Sequence, residues 1–345
     1  MVTHDFYLCL YDLAYERCNT VEGLTATLDL MAKFLHLTPE NLFLLTEQMP
    51  EATAVCGREA WEGHYHRTVR PGAEPIVLMR PALVDIEEIQ EQGLRYGHAH
   101  VYDVSQTENA PEAVDPEEIP RLSAQDIITA FHKLTSCLVE KIPAAEALVR
   151  YDAKRNVLQV ATDNETLIVR EMLRAYSKYI TRARGFYEDD LFCSLIGECA
   201  AYLMMRYHGV ENPKAPSLYA EWNKGGHRKG HEFLHLLNQI YWTAQVVNRE
   251  FCLAQHKPFI VSFHETEIID QVFTNSDKQF LIERLGGIGD LTPHPSLISA
   301  AWCLKDSITR ILTDGDVSRI YRDRGKNRVL TQMFYSILPE TILKR

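Results

Sequence analysis

Between Glu108 and Arg121 the chain reads ENAPEAVDPEEIPR, five carboxylates and three prolines in fourteen residues. Proline supplies no amide hydrogen and fixes its own φ, and neighbouring like charges repel. The stretch therefore suits neither helix nor sheet and reads as a solvated linker. A chain of 345 residues interrupted in this way folds as more than one domain. Upstream, Leu24, Leu28, Met31 and Leu35 fall at helical spacing and predict an amphipathic helix over 20–36, and Pro39 opens a second over 39–48. Short strands follow at 53–56, 76–79 and 98–104, with one or two helical turns at 58–65 and a turn at Arg70-Pro71-Gly72. Downstream, the pattern predicts a helix at 123–141 and a β-hairpin at 148–161 turning at 153–156. Helices at 165–183 and 187–208 come next, with Gly209 as a C-terminal stop, and then a largely helical stretch over 217–253. The expected fold class is α+β. A small α/β domain spans 1–107, the linker 108–122, a hairpin-plus-helices domain 123–255 and a mostly helical region 256–345.

Composition narrows the function classes. No apolar run approaches the length that crosses a bilayer, so no membrane role is expected. The first residues, MVTHDFYLCLYDLAYER, carry Asp5, Asp12 and Glu16 and have no basic leader, which argues against a signal peptide. Eight cysteines are scattered without a C-x-x-C pair. They read as reduced core thiols of a cytoplasmic protein. The formal net charge of −11 opposes approach to phosphate, so any nucleic-acid role must come from a local basic patch.

Residues 231–235, His231-Glu232-Phe233-Leu234-His235, spell H-E-x-x-H. On a helix that spacing sets two imidazoles on one face to hold zinc, with the glutamate beside them to activate water. A zinc site needs a third protein ligand: Glu250 lies 15 residues past His235, four helical turns away, and His256 and Glu265 are the other candidates. His227, His231 and His235 make a column about 12 Å long, too long to close on one ion. Phe233, Leu234, Leu237 and Ile240 continue an apolar stripe. Two readings stand: a packed helix with partly exposed histidines, or a zinc metallopeptidase with His231 and His235 as ligands and Glu232 as base.

A second stretch, ETLIVREMLRAYSKYI at 165–180, is followed by YEDDLFCSLIGECAAYLMMRYHGVE at 187–211. A strand hairpin, a helix and a second helix with a glutamate before Ala-Ala is the layout of a zincin core. The places of its His-Glu-x-x-His here hold Arg170, Glu171 and Arg174, and Glu198 stands where a third ligand would. Three further segments carry a resemblance: QMPEATAVCGREAWEGHYHRTVRPGAEPIVLMRP at 48–81, VYDVSQTE at 101–108 and SLYAEWNK at 217–224. Together, over roughly residues 20–255, the chain resembles the ArdC-type antirestriction family of conjugative plasmids and related mobile elements. The D-V-S-Q-T-E string is the most specific match, and 256–345 has no counterpart. The resemblance implies an N-terminal domain that binds single-stranded DNA and a zinc-peptidase-like second domain.

The departure is chemical. A guanidinium stays protonated at neutral pH and has no lone pair for a metal, so the resemblance implies a degenerate site without zinc. Arg170 and Arg174 are expected to pair with Glu171 or Glu198. For single-stranded DNA, basic side chains that track phosphates and aromatics that stack bases are needed. Arg58, Arg67, Arg70 and Arg80, with Trp61, Tyr65 and Tyr102, are the candidates, although Trp61 reads equally well as core. SRIYRDRGKNR at 318–328 is a further basic patch that reads as a solvated surface, and GGIGD at 286–290 follows no clear strand. The expected function is a non-catalytic, DNA-binding accessory protein of a mobile element. An active zinc peptidase, or an acidic protein-binding antagonist of a host defence enzyme, is the alternative, and a host defence or conjugation protein is a candidate partner beside single-stranded DNA.

Overall fold

The structure, a computed structural model, describes residues 4–63, 65–86, 91–108, 121–143, 149–183, 189–210, 213–255 and 257. At residues 4–7, 81–86, 91–96 and 183 the description is of the backbone alone. The chain mixes helix and strand and divides into two compact units. The described residues of the first lie within Gln48–Asp115, and those of the second within Thr3–Glu47 and Pro116–Ile260. Most of the linker and all of 258–345, with the basic 318–328 patch, lie outside the described residues.

In the first unit, β1 (Val55–Gly57) pairs with β4 (Glu91–Asp103), which pairs with β3 (Ile76–Ile86), all antiparallel. A second small ladder joins β2 (Thr68–Val69) to β5 (Thr107–Glu108). The strands at 76–79 and 98–104 are longer than their apolar runs suggest, because Pro81 does not stop β3. Among the described residues β3 is an edge strand with no ladder partner on its outer side, so a missing amide hydrogen there breaks no described pairing. The same edge is closed at Val77. The Gln48 side chain donates to its carbonyl and accepts from its amide, both at 2.9 Å. Helix α4 (Arg58–Gly63) drops Trp61 into the small core with Val69 and Tyr102.

The second unit is built around a helix buried on nearly every side. The unit begins with α1 (His4–Cys18), α2 (Val21–Lys33) and α3 (Pro39–Gln48), whose last residue, Gln48, belongs to the first unit. Beyond the linker come α5 (Ala124–Thr135), β6 (Leu138–Lys141), and the hairpin β7 (Val149–Asp152) and β8 (Val157–Val160). Then follow α6 (Glu165–Ala183), α7 (Asp190–His208), the short α8 (Tyr219–Trp222) and α9 (Gly230–Ala254). Between Phe192 and His208, only Glu198 and Arg206 of α7 escape burial, as a central helix requires. Asp189 caps its start, and Gly209, at φ 72°, ends it in the left-handed region. Helices α2, α6 and α9 pack on it, and α1 lies along α9.

That packing redraws the expected first domain. Residues 3–47 fall with the helical unit because α1 buries Leu10, Ala14 and Cys18, while α2 buries Leu24, Leu28 and Met31 against the buried helices. At Gly230, where α1 crosses the start of α9, a Cβ would collide with the Tyr11 carbonyl oxygen, so only glycine fits. Among the described residues no helix is long and apolar enough to cross a membrane.

Candidate functional site

Glu171 sits on the buried side of α6 and reaches the hairpin. Its Oε1 accepts from the Tyr151 amide of β7 at 3.1 Å. Its two oxygens also accept from Arg174, at 2.8 Å from Nε and 2.7 Å from a terminal nitrogen. This is the bidentate fork–fork pair that guanidinium and carboxylate geometry favours. The hydrogen bonds that Arg174 donates to Glu171 raise the Arg174 pKa, against the pull of burial, and the charges of Glu171 and Glu198 add to the effect. Glu198 on α7 accepts from Ser217 Oγ at 2.9 Å and from the Leu218 amide at 3.0 Å. Gly197 permits this closeness: a Cβ there would stand 3.0 Å from the Arg174 carbonyl oxygen.

The structure thus brings Glu171, Arg174 and Glu198 together, while Arg170, a turn earlier, makes no ion pair among the described residues. The pairing expected from the sequence holds for Arg174 with Glu171. In this arrangement the Glu171 carboxylate accepts from an edge-strand amide and from a guanidinium. Among the described residues no group of three or more His, Cys, Asp or Glu side chains could hold a metal ion.

The H-E-x-x-H segment opens α9, and its glutamate faces the helix end. Glu232 accepts from the Lys229 amide at 2.8 Å and from Arg228 at 2.7 Å, closing the first turn as a cap. The Lys229 bond, followed by Arg228 and against the effect of burial, holds its carboxyl below the usual range. His231 meets the edge of Tyr11, with centroids 6.1 Å apart. His235 stacks on Phe192 at 6.2 Å and 6°. Burial, then the neighbouring His231, lowers the His235 pKa. Both imidazoles lie against aromatic rings, and the Glu232 carboxylate closes the first turn of its own helix.

In the first unit two of the three rings of the expected aromatic platform are buried. Trp61 is fully buried, and its Nε1 donates to the Tyr102 carbonyl at 2.8 Å. Tyr102 is buried beside it, and Tyr65 packs against Trp61 at 5.0 Å. Burial, reinforced by Cys56, pushes the Tyr65 phenol up to about 12. The rings of Trp61 and Tyr102 belong to the small core of the first unit. Arg58 covers the Tyr102 ring at 5.0 Å and pairs with Glu62 at 3.4 Å. Arg67 donates to Thr107 Oγ1 at 2.6 Å, and Arg70 and Arg80 are exposed.

The D-V-S-Q-T-E string turns out to be a latch, a role that periodicity gave no means of seeing. Asp103 accepts from the Thr53, Ala54 and Ser105 amides at 2.7, 3.0 and 2.9 Å. Gln106 accepts from the Asp103 amide at 2.9 Å and donates to the Glu74 carbonyl at 2.7 Å. Thr107 donates to the Val104 carbonyl at 2.7 Å. The signal in the sequence was Asp followed three places on by Gln, the spacing of a capping box.

No family model matches the chain, and no curated protein matches it. Among solved structures it is similar to the antirestriction protein ArdC of plasmid R388, in metal-free and Mn(II)-bound crystal forms. The identity is 13% over 62% of this chain and 83% of that chain, with TM-scores of 0.41 and 0.40.

Proposed function

We propose that this chain is a non-catalytic, antirestriction-like accessory protein of a mobile element. In this reading it works in the cytoplasm, binds single-stranded DNA through its first unit, and carries a pseudo-peptidase as its second. The observation that carries the reading is the bidentate Arg174–Glu171 pair, which stands where the motif resemblance would set a metal ligand and a catalytic base. Guanidinium donates no electron pair, and the Glu171 oxygens already accept from the Tyr151 amide and from two nitrogens of Arg174. The DNA half draws on the D-V-S-Q-T-E string and on Arg58, Arg67, Arg70 and Arg80, with the partly buried Tyr65 as its aromatic. The net charge of −11 favours a second reading, an acidic antagonist that presents carboxylates to a basic host protein.

Two measurements test the proposal. Protein purified without a histidine tag is expected to hold no stoichiometric zinc and to show no chelator-sensitive proteolysis. Zinc at one per chain, lost in His231→Ala/His235→Ala, would overturn the non-catalytic reading in favour of the α9 site. Gel shifts are expected to show single-stranded DNA bound more tightly than duplex, weakening as salt rises. No shift at low salt removes the DNA half, and displacement of bound strand by a basic protein partner supports the second reading.

A further inference from the structure

Arg170, Arg174, Lys178 and Arg182 occupy successive i, i+4 positions of α6. They form one stripe about 18 Å long with a cation roughly every 6 Å. Like charges at this spacing destabilise a helix, and here three such pairs follow one another. None of the four is fully buried: Arg170, Arg174 and Lys178 are half-buried, and Arg182 is exposed.

The carboxylates along the stripe do not match it one for one. Glu171 holds Arg174, and Asp190 at the head of α7 is shared between Lys178, at 3.0 Å, and Arg182. Glu198 accepts from Ser217 and Leu218, and Arg170 makes no ion pair among the described residues. The crowding registers on Lys178, whose ammonium is pushed down by burial first and then by Arg182 and Arg174.

A second set of cations flanks the same end of α7. Phe192, two residues past Asp190, stacks with both His235 and Trp222, and the Arg228 guanidinium sits 4.0 Å from the Trp222 ring centroid. In that loop Lys224 and Lys229 are exposed. Of its carboxylates, Glu232 is held by Arg228, and Glu221 lies one residue before Trp222.

We propose that this face of the helical unit, centred on the α6 stripe, binds the sugar–phosphate backbone of a single-stranded nucleic acid. A stripe of evenly spaced cations fits a ligand whose charge repeats along its length, and each cation placed against a phosphate releases a condensed counterion. Bound phosphates would relieve the repulsion that the stripe carries. The proposal rests on the single-strand-binding reading above but assigns a contact to the other unit.

The test is fluorescence anisotropy of the full chain with labelled oligothymidylate across a salt series. Each phosphate neutralised on a single strand contributes about 0.7 to the slope of log K against log salt. Arg170→Gln/Lys178→Gln/Arg182→Gln is expected to lower that slope by about 2 and to weaken low-salt binding roughly tenfold or more. The charge-keeping Arg170→Lys/Lys178→Arg/Arg182→Lys is expected to retain both. A loss shared by the charge-keeping variant overturns the proposal, since charge is then not what is read. An unchanged slope in the glutamine variant also overturns it, and a drop in Arg58→Gln/Arg70→Gln would then leave the first-unit reading standing. The reverse pattern supports the α6 surface and removes the first-unit contact. Polyglutamate that displaces the strand as well as unlabelled oligothymidylate overturns the choice of a nucleic acid.

Discussion

Arg174 shields a carboxylate that is nearly out of water: the side chain of Glu171 is 10% exposed and that of Arg174 28%. Deleting only the guanidinium would leave the Glu171 charge buried, with the Tyr151 amide still donating to it. Arg174→Met is therefore expected to destabilise the helical unit by about 2–4 kcal/mol in urea unfolding. Glu171→Gln/Arg174→Met should cost less than the sum of the two single changes, by about 1 kcal/mol or more. Strict additivity would mean that the two side chains do not act as a pair. Trp61 is argued in the same way. Trp61→Phe keeps most of the ring but strands the Tyr102 carbonyl, at a cost of about 1–3 kcal/mol. Binding of single-stranded DNA well below the melting point should not change, because the indole is core. A strand affinity that collapsed while stability held would return Trp61 to the binding surface.

Among the elements, the 103–107 latch carries a pH signature. Burial pushes the Asp103 pKa up, but the amides of Ser105, Thr53 and Ala54 more than offset it, and the net shift is downward. A carboxyl depressed in the fold stabilises it above the unfolded-state value of about 3.9. That contribution is lost as pH falls through the lower folded-state value. First-unit stability should therefore decline as pH falls below about 5 and onward through the depressed folded-state value, and Asp103→Asn should be less stable at neutral pH with a flatter acid limb. Parallel acid limbs in the two proteins would place the titrating group elsewhere. Several elements were legible from periodicity and punctuation alone: α2, α3, the β7–β8 hairpin, α6, and α7 with its Gly209 stop. The helix expected over 123–141 ends at Thr135 instead, because Ser136 adopts φ 53° and the chain turns into β6. Leu138 and Val139 continue an apolar pattern, yet on this edge strand they are exposed, and periodicity cannot distinguish the two cases. The α9 helix was legible too. The capping role of Glu232 was not, since it depends on where Arg228 and the Lys229 amide fall.

At the scale of the whole molecule, the partition of the chain was the least legible feature, because it depends on which buried faces find each other across long sequence separations. The Pro- and Glu-rich run suggested an N-terminal domain of 1–107, whereas α1 and α2 complete the core around α7 and α9. The links are specific. Arg206 meets Asp29 at 2.7 Å, Asn238 meets Glu40 at 2.7 Å, and the Tyr219 hydroxyl donates to the Cys18 carbonyl. Leu10, Leu24, Leu28, Met31, Phe34, Leu42 and Phe43 are all buried, none more than 2% exposed. At about 1.5–3 kcal/mol each, their burial is worth roughly 10–20 kcal/mol, as much as the whole stability of a typical domain. A chain lacking residues 1–47 should therefore keep helical far-UV dichroism but lose near-UV signal, bind a hydrophobic dye and unfold without a cooperative step. If 1–107 were instead a self-contained domain, the shortened chain would retain the main thermal transition of the full protein. A cooperative transition of undiminished midpoint in that variant would refute the assignment of α1 and α2 to the helical core.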